Sequence, residues 1–388
     1  MKKRNSSPFV FVHGMFGWGD LTGINKAVPY WGATTGSLLG FLRECDYECY
    51  AASVGPISSA WDNACELYAQ LTGTRVDYGK AHSEKRNHDR YGRKYEKPLF
   101  SGFGERSIHL IGHSHGGQVV RLLAHLLTYG DEEERAATDE NDISPLFLGG
   151  NEGLIVSVTT LCTPNNGTLL FKLAEEKNLI HTMGRGTNLA VSLFGRTPLY
   201  GKLVDAQMEQ FGLTPLKGEK KPDKILTAVN RVRDSDDHIL RDLSFSGALE
   251  LNEKIEISKS IFYFCYYASG APGEEFSTKY MKFPLLKLFG RLIATISFPR
   301  DDEYGISFSE EWHENDGLVN VPSAKNPFDE PGKVFDGTPE KGVWNIMPVI
   351  KGDHGQTVGL LASKNKTHSF FLNLLNMLTQ TEKEKASV

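Results

Sequence analysis

The sequence predicts an α/β fold with a mostly parallel β-sheet, and three observations lead to that prediction. Several short apolar runs end in turns rich in Gly or Pro, as is typical of strands buried on both faces of a sheet. The segment 118–127 follows one of these runs and shows the apolar stripe of a helix. Strands and helices alternate along the chain, an order that favours parallel strands. The predicted strands lie at 8–14, 107–111, 155–161 and 261–267.

Length and composition indicate a globular chain with ample material for a core. The 388 residues are 40% hydrophobic and 11% aromatic, which excludes global disorder and allows one α/β domain with large insertions. The 43 basic and 48 acidic residues leave a net charge of −5, which argues against nucleic acid as the main partner. No apolar run approaches the roughly 18 residues of a membrane-spanning helix, so no transmembrane anchor is expected.

The cysteines and the N-terminus bear on the compartment of the protein. Five scattered cysteines are too few for a disulfide scaffold, and the Cys45 and Cys49 pair lacks the second pair that would complete a metal site. Residues 1–4 are charged like the start of a signal peptide, but no apolar stretch of about 7 to 15 residues follows them. Two alternatives therefore stay open: the protein remains inside the cell, or a signal peptide has been removed.

One glycine-rich turn predicts a catalytic serine. The run Gly112-His113-Ser114-His115-Gly116 matches the Gly-x-Ser-x-Gly pattern of a nucleophile elbow, in which a strained turn between strand and helix exposes the serine. The pattern alone is weakly specific, but here an apolar strand precedes it and a helix follows at once. The alternative is an ordinary Gly-rich turn between a strand and a helix.

A serine nucleophile needs a base that is itself oriented by a carboxylate, and α/β-hydrolases place these residues in the order Ser, acid, His. His354 lies in a Gly-flanked loop near the C-terminus and is the predicted base, whereas His125 falls within the predicted helix after the elbow. Asp316, in a loop before an apolar segment, is the preferred acid. Asp353 is its rival, although side chains adjacent in sequence rarely reach each other well.

The oxyanion hole needs two backbone N–H groups aimed at the developing negative charge. One is expected from His115, directly after the nucleophile, and the other from the turn after the first strand, where Met15 is the predicted donor. The alternative is that His13 and Gly14 form only a turn.

From about residue 8 to 375 the chain resembles the secreted bacterial lipases of the thermophilic-bacillus and staphylococcal group, which have the α/β-hydrolase fold. Several long motifs in the same order carry this resemblance: His13-Gly14-Met15-Phe16-Gly17-Trp18-Gly19, residues 61–71, Val76-Asp77-Tyr78-Gly79-Lys80-Ala81-His82, Gly112 to Gln118, Thr160-Leu161-Cys162-Thr163-Pro164, Asp242-Leu243-Ser244, and residues 314–320. The resemblance implies the same triad of Ser114, Asp316 and His354. It also implies a secreted protein.

The resemblance further implies metal binding. Family members carry a zinc-holding insertion at residues 62–101, and their ligand pattern falls on Asp62, His82, His88 and Asp242. Two His and two carboxylates form a closed tetrahedral set, which suits a structural zinc. By spacing alone, the two histidines read as surface residues.

A family calcium site near the catalytic His is expected to be weak or absent. Its two acidic positions are Gln356 and Leu361 here, whereas calcium prefers several hard and anionic oxygen ligands. The acidic run Asp301-Asp302-Glu303 is expected to be solvated surface. The alternative is that it forms a shifted calcium site.

These observations predict one α/β-hydrolase domain over 1–388 that cleaves ester or lipid substrates, expected at an oil–water interface. Residues 168–250 are predicted to form a helical lid, with ordinary core helices as the alternative. Without a moving lid, the protein would be an open-site esterase or a polyester hydrolase. Two alternatives come from other functional classes. One is a hydrolase whose metal site is catalytic, and the other is a catalytically silent binding protein. The apolar residues expected to line the lid are Phe171, Leu173, Leu179, Leu189, Leu193 and Phe194, and its expected hinges are Gly184, Gly186, Gly195 and Gly201.

Overall fold

The computed structural model describes residues 3–176, 207–212, 227, 230–232, 234–272 and 277–385. Its centre is a seven-stranded sheet in the order β2-β1-β5-β6-β7-β10-β9, and every neighbouring pair in this sheet is parallel. A short antiparallel pair, β3 and β4, and a short parallel pair, β8 and β11, lie outside it. The strands are β1 Phe9–Val12, β2 Cys49–Ala52, β3 Arg75–Asp77, β4 Tyr91–Lys94, β5 Ile108–His113, β6 Ile155–Leu161, β7 Phe262–Tyr266, β8 Ala268–Ser269, β9 Gly332–Val334, β10 Trp344–Ile346 and β11 Ile350–Lys351.

Helices cover both faces of this sheet, as expected when parallel strands are joined by crossovers. The helices are α1 Leu38–Glu44, α2 Ala60–Thr72, α3 Lys80–Arg86, α4 His115–Tyr129, α5 Glu132–Ala137, α6 Leu169–Glu176, α7 Ile239–Leu243, α8 Phe245–Lys254, α9 Pro284–Ile293, α10 Asp301–Tyr304, α11 Val321–Lys325 and α12 Lys364–Lys385. Among the described residues, no helix is long and apolar enough to cross a membrane.

The sheet separates two hydrophobic clusters. On one face, α2 and α4 pack on Val10, Val12 and Leu110, and on the other face α1 and α12 pack on Phe9 and Phe11. Alternate residues of β1 therefore enter opposite layers, and each layer is closed by helices. Burial on both faces explains why the strands are continuous apolar runs.

The predicted α/β fold with a mostly parallel sheet is confirmed, and the four predicted strands correspond to β1, β5, β6 and β7. The predicted helix at 118–127 is the interior of α4, which begins directly after Ser114. The acidic run 301–303 lies in the short helix α10. The turn that begins at His13 follows β1, Ser114 follows β5 and Cys162 follows β6, so these residues lie at the carboxyl ends of neighbouring strands, where parallel α/β folds place their sites. Asp316 lies in the segment between α10 and α11, and His354 follows β11.

Candidate active site and metal cluster

Ser114 lies at a strained turn between β5 and α4. Its backbone has φ +57° and ψ −131°, a conformation that is unfavourable for a residue with a side chain. Two glycines make the turn possible, because a Cβ at Gly112 would collide with the backbone of Gly116, and a Cβ at Gly116 would collide with the backbone of Val12. The local structure is that of a nucleophile elbow.

The predicted base and acid are in direct contact. His354 Nδ1 donates to Asp316 Oδ2 over 2.8 Å, and the His354 N–H donates to the Asp316 carbonyl over 2.9 Å. Asp316 is fully buried, and its Oδ1 accepts hydrogen bonds from the N–H groups of Leu318 and Val319 at 3.0 and 2.8 Å. Both carboxylate oxygens are thus held, so the imidazole can have only one orientation toward this acid.

Asp353, the rival acid, is engaged elsewhere. Its Oδ2 accepts hydrogen bonds from the N–H groups of Lys282 and Phe283 at 2.6 and 3.0 Å, and its Oδ1 accepts from Gln356 at 3.0 Å. These bonds direct the carboxylate toward the start of α9. The geometry therefore favours Asp316 as the partner of His354.

The turn after β1 lies directly against the serine. A Cβ at Gly14 would be 2.6 Å from Ser114 Cβ and 3.1 Å from Ser114 Oγ, so only glycine permits this approach. The Gly17 N–H closes the turn on the Gly14 carbonyl at 3.0 Å, which places Met15 inside the turn. The structure thus places the turn that contains Met15, one predicted oxyanion donor, against Ser114. The other predicted donor, His115, follows Ser114 directly in the sequence.

Tyr30 and His113 connect these parts, and the sequence reasoning missed both of them. The Gly14 N–H donates to Tyr30 Oη over 3.0 Å, and the Tyr30 hydroxyl donates to His113 Nδ1 over 2.7 Å. His113 Nε2 in turn donates to the carbonyl of His354 over 3.2 Å. Burial lowers the pKa of His113 well below its ordinary value, so the ring is neutral and can both accept and donate. No local pattern links residues so distant in sequence.

Cys162 is a third residue that the sequence analysis did not assign to the site. Its sulfur lies with a carboxylate oxygen of Asp316 and a ring nitrogen of His354 in a group whose atoms are all within 4.8 Å of one another. Burial raises the pKa of this thiol well above its ordinary value, which keeps it protonated. A neutral thiol does not compete with Ser114 as nucleophile, because the thiolate is the reactive form.

Three of the four predicted metal ligands meet in a buried cluster, and the fourth member is Asp237. The ligand atoms of Asp62, His82, His88 and Asp237 all lie within 4.8 Å of one another. His82 Nε2 and His88 Nε2 are each 3.1 Å from Asp237 Oδ2, and they are 3.5 and 3.8 Å from Asp62 Oδ1. Two histidines and two carboxylates thus converge on one point.

The assignment of Asp242 is therefore corrected. Asp237 precedes α7 and reaches the cluster, whereas Asp242 lies on α7 and faces the starts of α2 and α4. There Asp242 Oδ2 accepts from the Ala60 N–H at 2.6 Å and from His115 Nε2 at 2.9 Å. Spacing alone could not choose between these acidic residues, because the choice depends on where the short helix α7 begins.

The surroundings of the cluster fit a cation. Asp62 Oδ1 and His88 Nε2 are buried, and neither makes a hydrogen bond within the described structure. His88 Nδ1 donates to the Asp89 carbonyl over 2.9 Å, which directs Nε2 toward the cluster, as is usual for a metal-ligating histidine. Burial lowers the pKa of His82, but the carboxylates of Asp237 and Asp62 outweigh it and raise that pKa to about 9. The two buried carboxylates thus strongly favour a positive charge at this point.

The two positions of the family calcium site carry no anionic ligand. Gln356 Oε1 accepts the Asp353 N–H at 2.9 Å, and Leu361 presents an apolar side chain. In the alternative acidic run, Glu303 pairs with Lys172 at 3.1 Å. The expectation of a weak or absent calcium site stays a prediction.

Most of the predicted lid lies outside the described residues. Its four hinge glycines and the apolar residues Leu179, Leu189, Leu193 and Phe194 fall in 177–206. The described part contains α6, where Leu169 is fully buried and Phe171 and Leu173 are partly buried. The lid at 168–250 therefore stays a prediction.

Comparison with known proteins identifies the family. The family model "Lipase-like, C-terminal domain" matches residues 5–387. A lipase from Staphylococcus hyicus is 35% identical over 99% of this chain, and the chain spans 59% of that relative's length. The crystal structure of the Staphylococcus hyicus lipase superposes with a TM-score of 0.82 at 32% identity, covering 99% of this chain and 98% of that one. EstA from Clostridium botulinum superposes with a TM-score of 0.82 at 34% identity, covering 97% and 87%. The chain therefore belongs to the lipase-like family of α/β-hydrolases that includes the staphylococcal lipases.

Proposed function

We propose that this protein is a serine carboxylester hydrolase of the lipase and esterase type. The observation that carries the proposal is the buried His354–Asp316 pair beside the elbow that holds Ser114. The ring of His354 packs 4.6 Å from that of His113, the residue before the nucleophile. A strained serine, an oriented imidazole and a buried carboxylate form the arrangement that activates a hydroxyl for acyl transfer.

In the first half of the reaction, Ser114 Oγ attacks the ester carbonyl and His354 accepts the hydroxyl proton. The resulting imidazolium is stabilised by Asp316, whose charge is held in place by the two backbone N–H donors. The negative oxygen of the tetrahedral intermediate is bound by the N–H groups of Met15 and His115. His354 then returns the proton to the leaving alcohol, and an acyl-enzyme remains.

In the second half, water attacks the acyl-enzyme with His354 as the base, and the free acid leaves. The site needs no redox chemistry, because only a proton and an acyl group are transferred. The predicted lid at 168–250 would cover an apolar acyl pocket in water. Secretion, which the resemblance implies, stays a prediction.

The proposal is tested with a soluble p-nitrophenyl ester and a serine-reactive phosphonate. The wild-type protein is expected to cleave the ester and to gain the phosphonate mass on Ser114. Ser114→Ala should lose at least about 10⁴-fold in kcat with an unchanged circular dichroism spectrum. Near-normal turnover by the folded variant, or cleavage that chelators abolish without any adduct on Ser114, would refute the proposal.

We further propose that Asp62, His82 and His88 of the insertion at 62–101, together with Asp237 outside it, hold one structural zinc. The support is the closed set of two nitrogens and two carboxylates together with the two buried atoms that lack a hydrogen bond. The ion would join α2, α3 with the turn that follows it, and the segment before α7, because Asp62, His82, His88 and Asp237 come from these parts of the chain. When bound, it would supply positive charge opposite the two buried carboxylates of Asp62 and Asp237.

Two neighbouring aspartates make a matched test of the zinc proposal. Asp237→Asn should reduce zinc below one per chain and lower the melting temperature, since an ion bound to the folded state stabilises by mass action. Asp242→Asn, the control, should keep the full zinc content, because its carboxylate bonds Ala60 and His115 instead. Elemental analysis of the dialysed proteins decides the matter, and loss of zinc from the Asp242 variant alone would overturn the assignment.

A further inference from the structure

His115, the residue after the nucleophile, holds its imidazole on a carboxylate outside the triad. His115 Nε2 donates to Asp242 Oδ2 over 2.9 Å, and His115 is only 1% exposed. The same carboxylate oxygen accepts the Ala60 N–H at 2.6 Å. A carboxylate can only accept, so the proton of the bond to His115 is on Nε2. The proposed reaction uses only the backbone N–H of His115, and this buried side-chain contact has no role in it.

Asp242 is itself held by the packing around α7. A Cβ at Gly247 on α8 would be 1.9 Å from the Arg241 carbonyl oxygen, so the two helices approach each other closely. The Ser244 hydroxyl donates to the same carbonyl over 2.7 Å and accepts the Gly247 N–H at 3.1 Å. A side chain bonded to Asp242 is therefore held against a closely packed part of the fold.

Two side chains of the first turn of α4 are bonded to this one residue. Besides the His115 imidazole on its carboxylate, the Asp242 carbonyl accepts the side-chain N–H of Gln118 at 2.9 Å. Gln118 also donates to the Pro164 carbonyl over 3.2 Å. Residues three apart lie on one face of a helix, so the bonds to Asp242 fix the rotation of this turn. The end of a helix otherwise frays readily, because its first N–H groups have no partners within the helix.

We propose that Asp242 is a positioning residue for the oxyanion hole and acts through the imidazole of His115. The inference rests on the proposed ester hydrolysis, in which the His115 N–H binds the developing negative oxygen. That N–H stabilises the charge best when it already points at the oxygen, since a preorganised donor needs no reorganisation during the reaction. Asp242 holds the ring, the ring holds the first residue of α4, and the N–H keeps its direction.

The test is steady-state kinetics on a soluble p-nitrophenyl ester. Asp242→Ala and His115→Ala keep the backbone N–H of residue 115 but lose the bond, so kcat should fall about tenfold at nearly unchanged KM. The double variant should lose no more than either single variant, because both changes remove the same interaction. His115→Gln should keep kcat within about threefold of wild type, because its amide nitrogen can reach Asp242. The shorter His115→Asn should behave like His115→Ala.

A control variant and a pH profile separate positioning from a general disturbance. Glu250→Ala removes an exposed carboxylate that pairs with Arg241 on α7 at 2.7 Å, and its kcat should equal that of wild type. The acidic limb of the kcat–pH profile reports His354. It should stay unchanged in every variant, because the bond between His354 and Asp316 is untouched.

The outcomes distinguish this inference from the proposed function. Wild-type kcat in His115→Ala, losses that multiply in the double variant, or equal kcat in His115→Gln and His115→Asn would overturn the positioning role. A similar loss in Glu250→Ala or a shifted acidic limb would overturn it too. If Asp242→Ala does not fold, the His115 variants decide, because they leave the bond between Ala60 and Asp242 in place. A wild-type protein that cleaves no ester would refute the proposed function, and this inference with it.

Discussion

Replacing Glu382 with glutamine should reveal how the C-terminal helix is attached to the sheet. Glu382 lies near the end of α12, and its carboxylate accepts four hydrogen bonds, three from the N-terminal segment and one from β5. Oε2 accepts from Ser6 N at 3.0 Å and from Ser6 Oγ at 2.6 Å. Oε1 accepts from Ser7 N at 3.1 Å and from Nε2 of the buried His109 at 3.2 Å. One carboxylate thus joins α12 to β5 and to the segment before β1.

The size of the effect follows from the pKa of this carboxyl group. Burial alone would raise it, but the hydrogen bonds from His109 and Ser6 outweigh burial and lower the pKa from 4.5 to about 2. A shift of that size corresponds to about 3 kcal/mol of folding free energy at neutral pH, and to about 2 kcal/mol after screening at this partly exposed position. Because the folded pKa is the lower one, this stability is present above pH 4.5 and is lost as the pH falls toward 2.

The assay is urea unfolding of the wild-type protein and Glu382→Gln at several pH values. The variant should be less stable by about 2 kcal/mol at pH 7, and the difference should fall below half of that near pH 3. Glu253→Gln, at an exposed position on α8, is the control and should change little at either pH. An equal difference at both pH values, or none at pH 7, would refute the reasoning.

Two further predictions concern the active site. Asp316→Asn should lower kcat on a soluble ester by roughly 10⁴-fold, because the amide cannot stabilise the imidazolium of its partner; steady-state kinetics with a melting-temperature control tests this, and activity within tenfold of wild type would contradict it. Tyr30→Phe removes the hydroxyl that accepts from Gly14, so kcat should fall about tenfold with little change in KM, and the free energy of unfolding should drop by about 1 to 3 kcal/mol. Unchanged kcat and unchanged stability in Tyr30→Phe would show that this hydrogen bond positions nothing.

Local sequence determined much of this protein. The apolar runs of β1, β5, β6 and β7 specify a buried parallel sheet, because a strand covered on both faces has no polar side to alternate with. The glycines around Ser114 specify the elbow, since only glycine allows a strand and a helix to approach so closely. The order Ser114, Asp316, His354 could be read because each residue lies in a recognisable loop or turn.

Tertiary structure alone decided the remaining features. The choice of Asp237 over Asp242 depends on the start of α7, and the Gly14–Tyr30–His113–His354 chain joins residues that no sequence period relates. The exposure of leucines on α9 likewise depends on which face the core takes, and a helical pattern in sequence does not distinguish a buried stripe from an exposed one. The physical reason is common to all three: side-chain partners are set by the packing of distant segments, whereas sequence patterns report only the conformation of near neighbours.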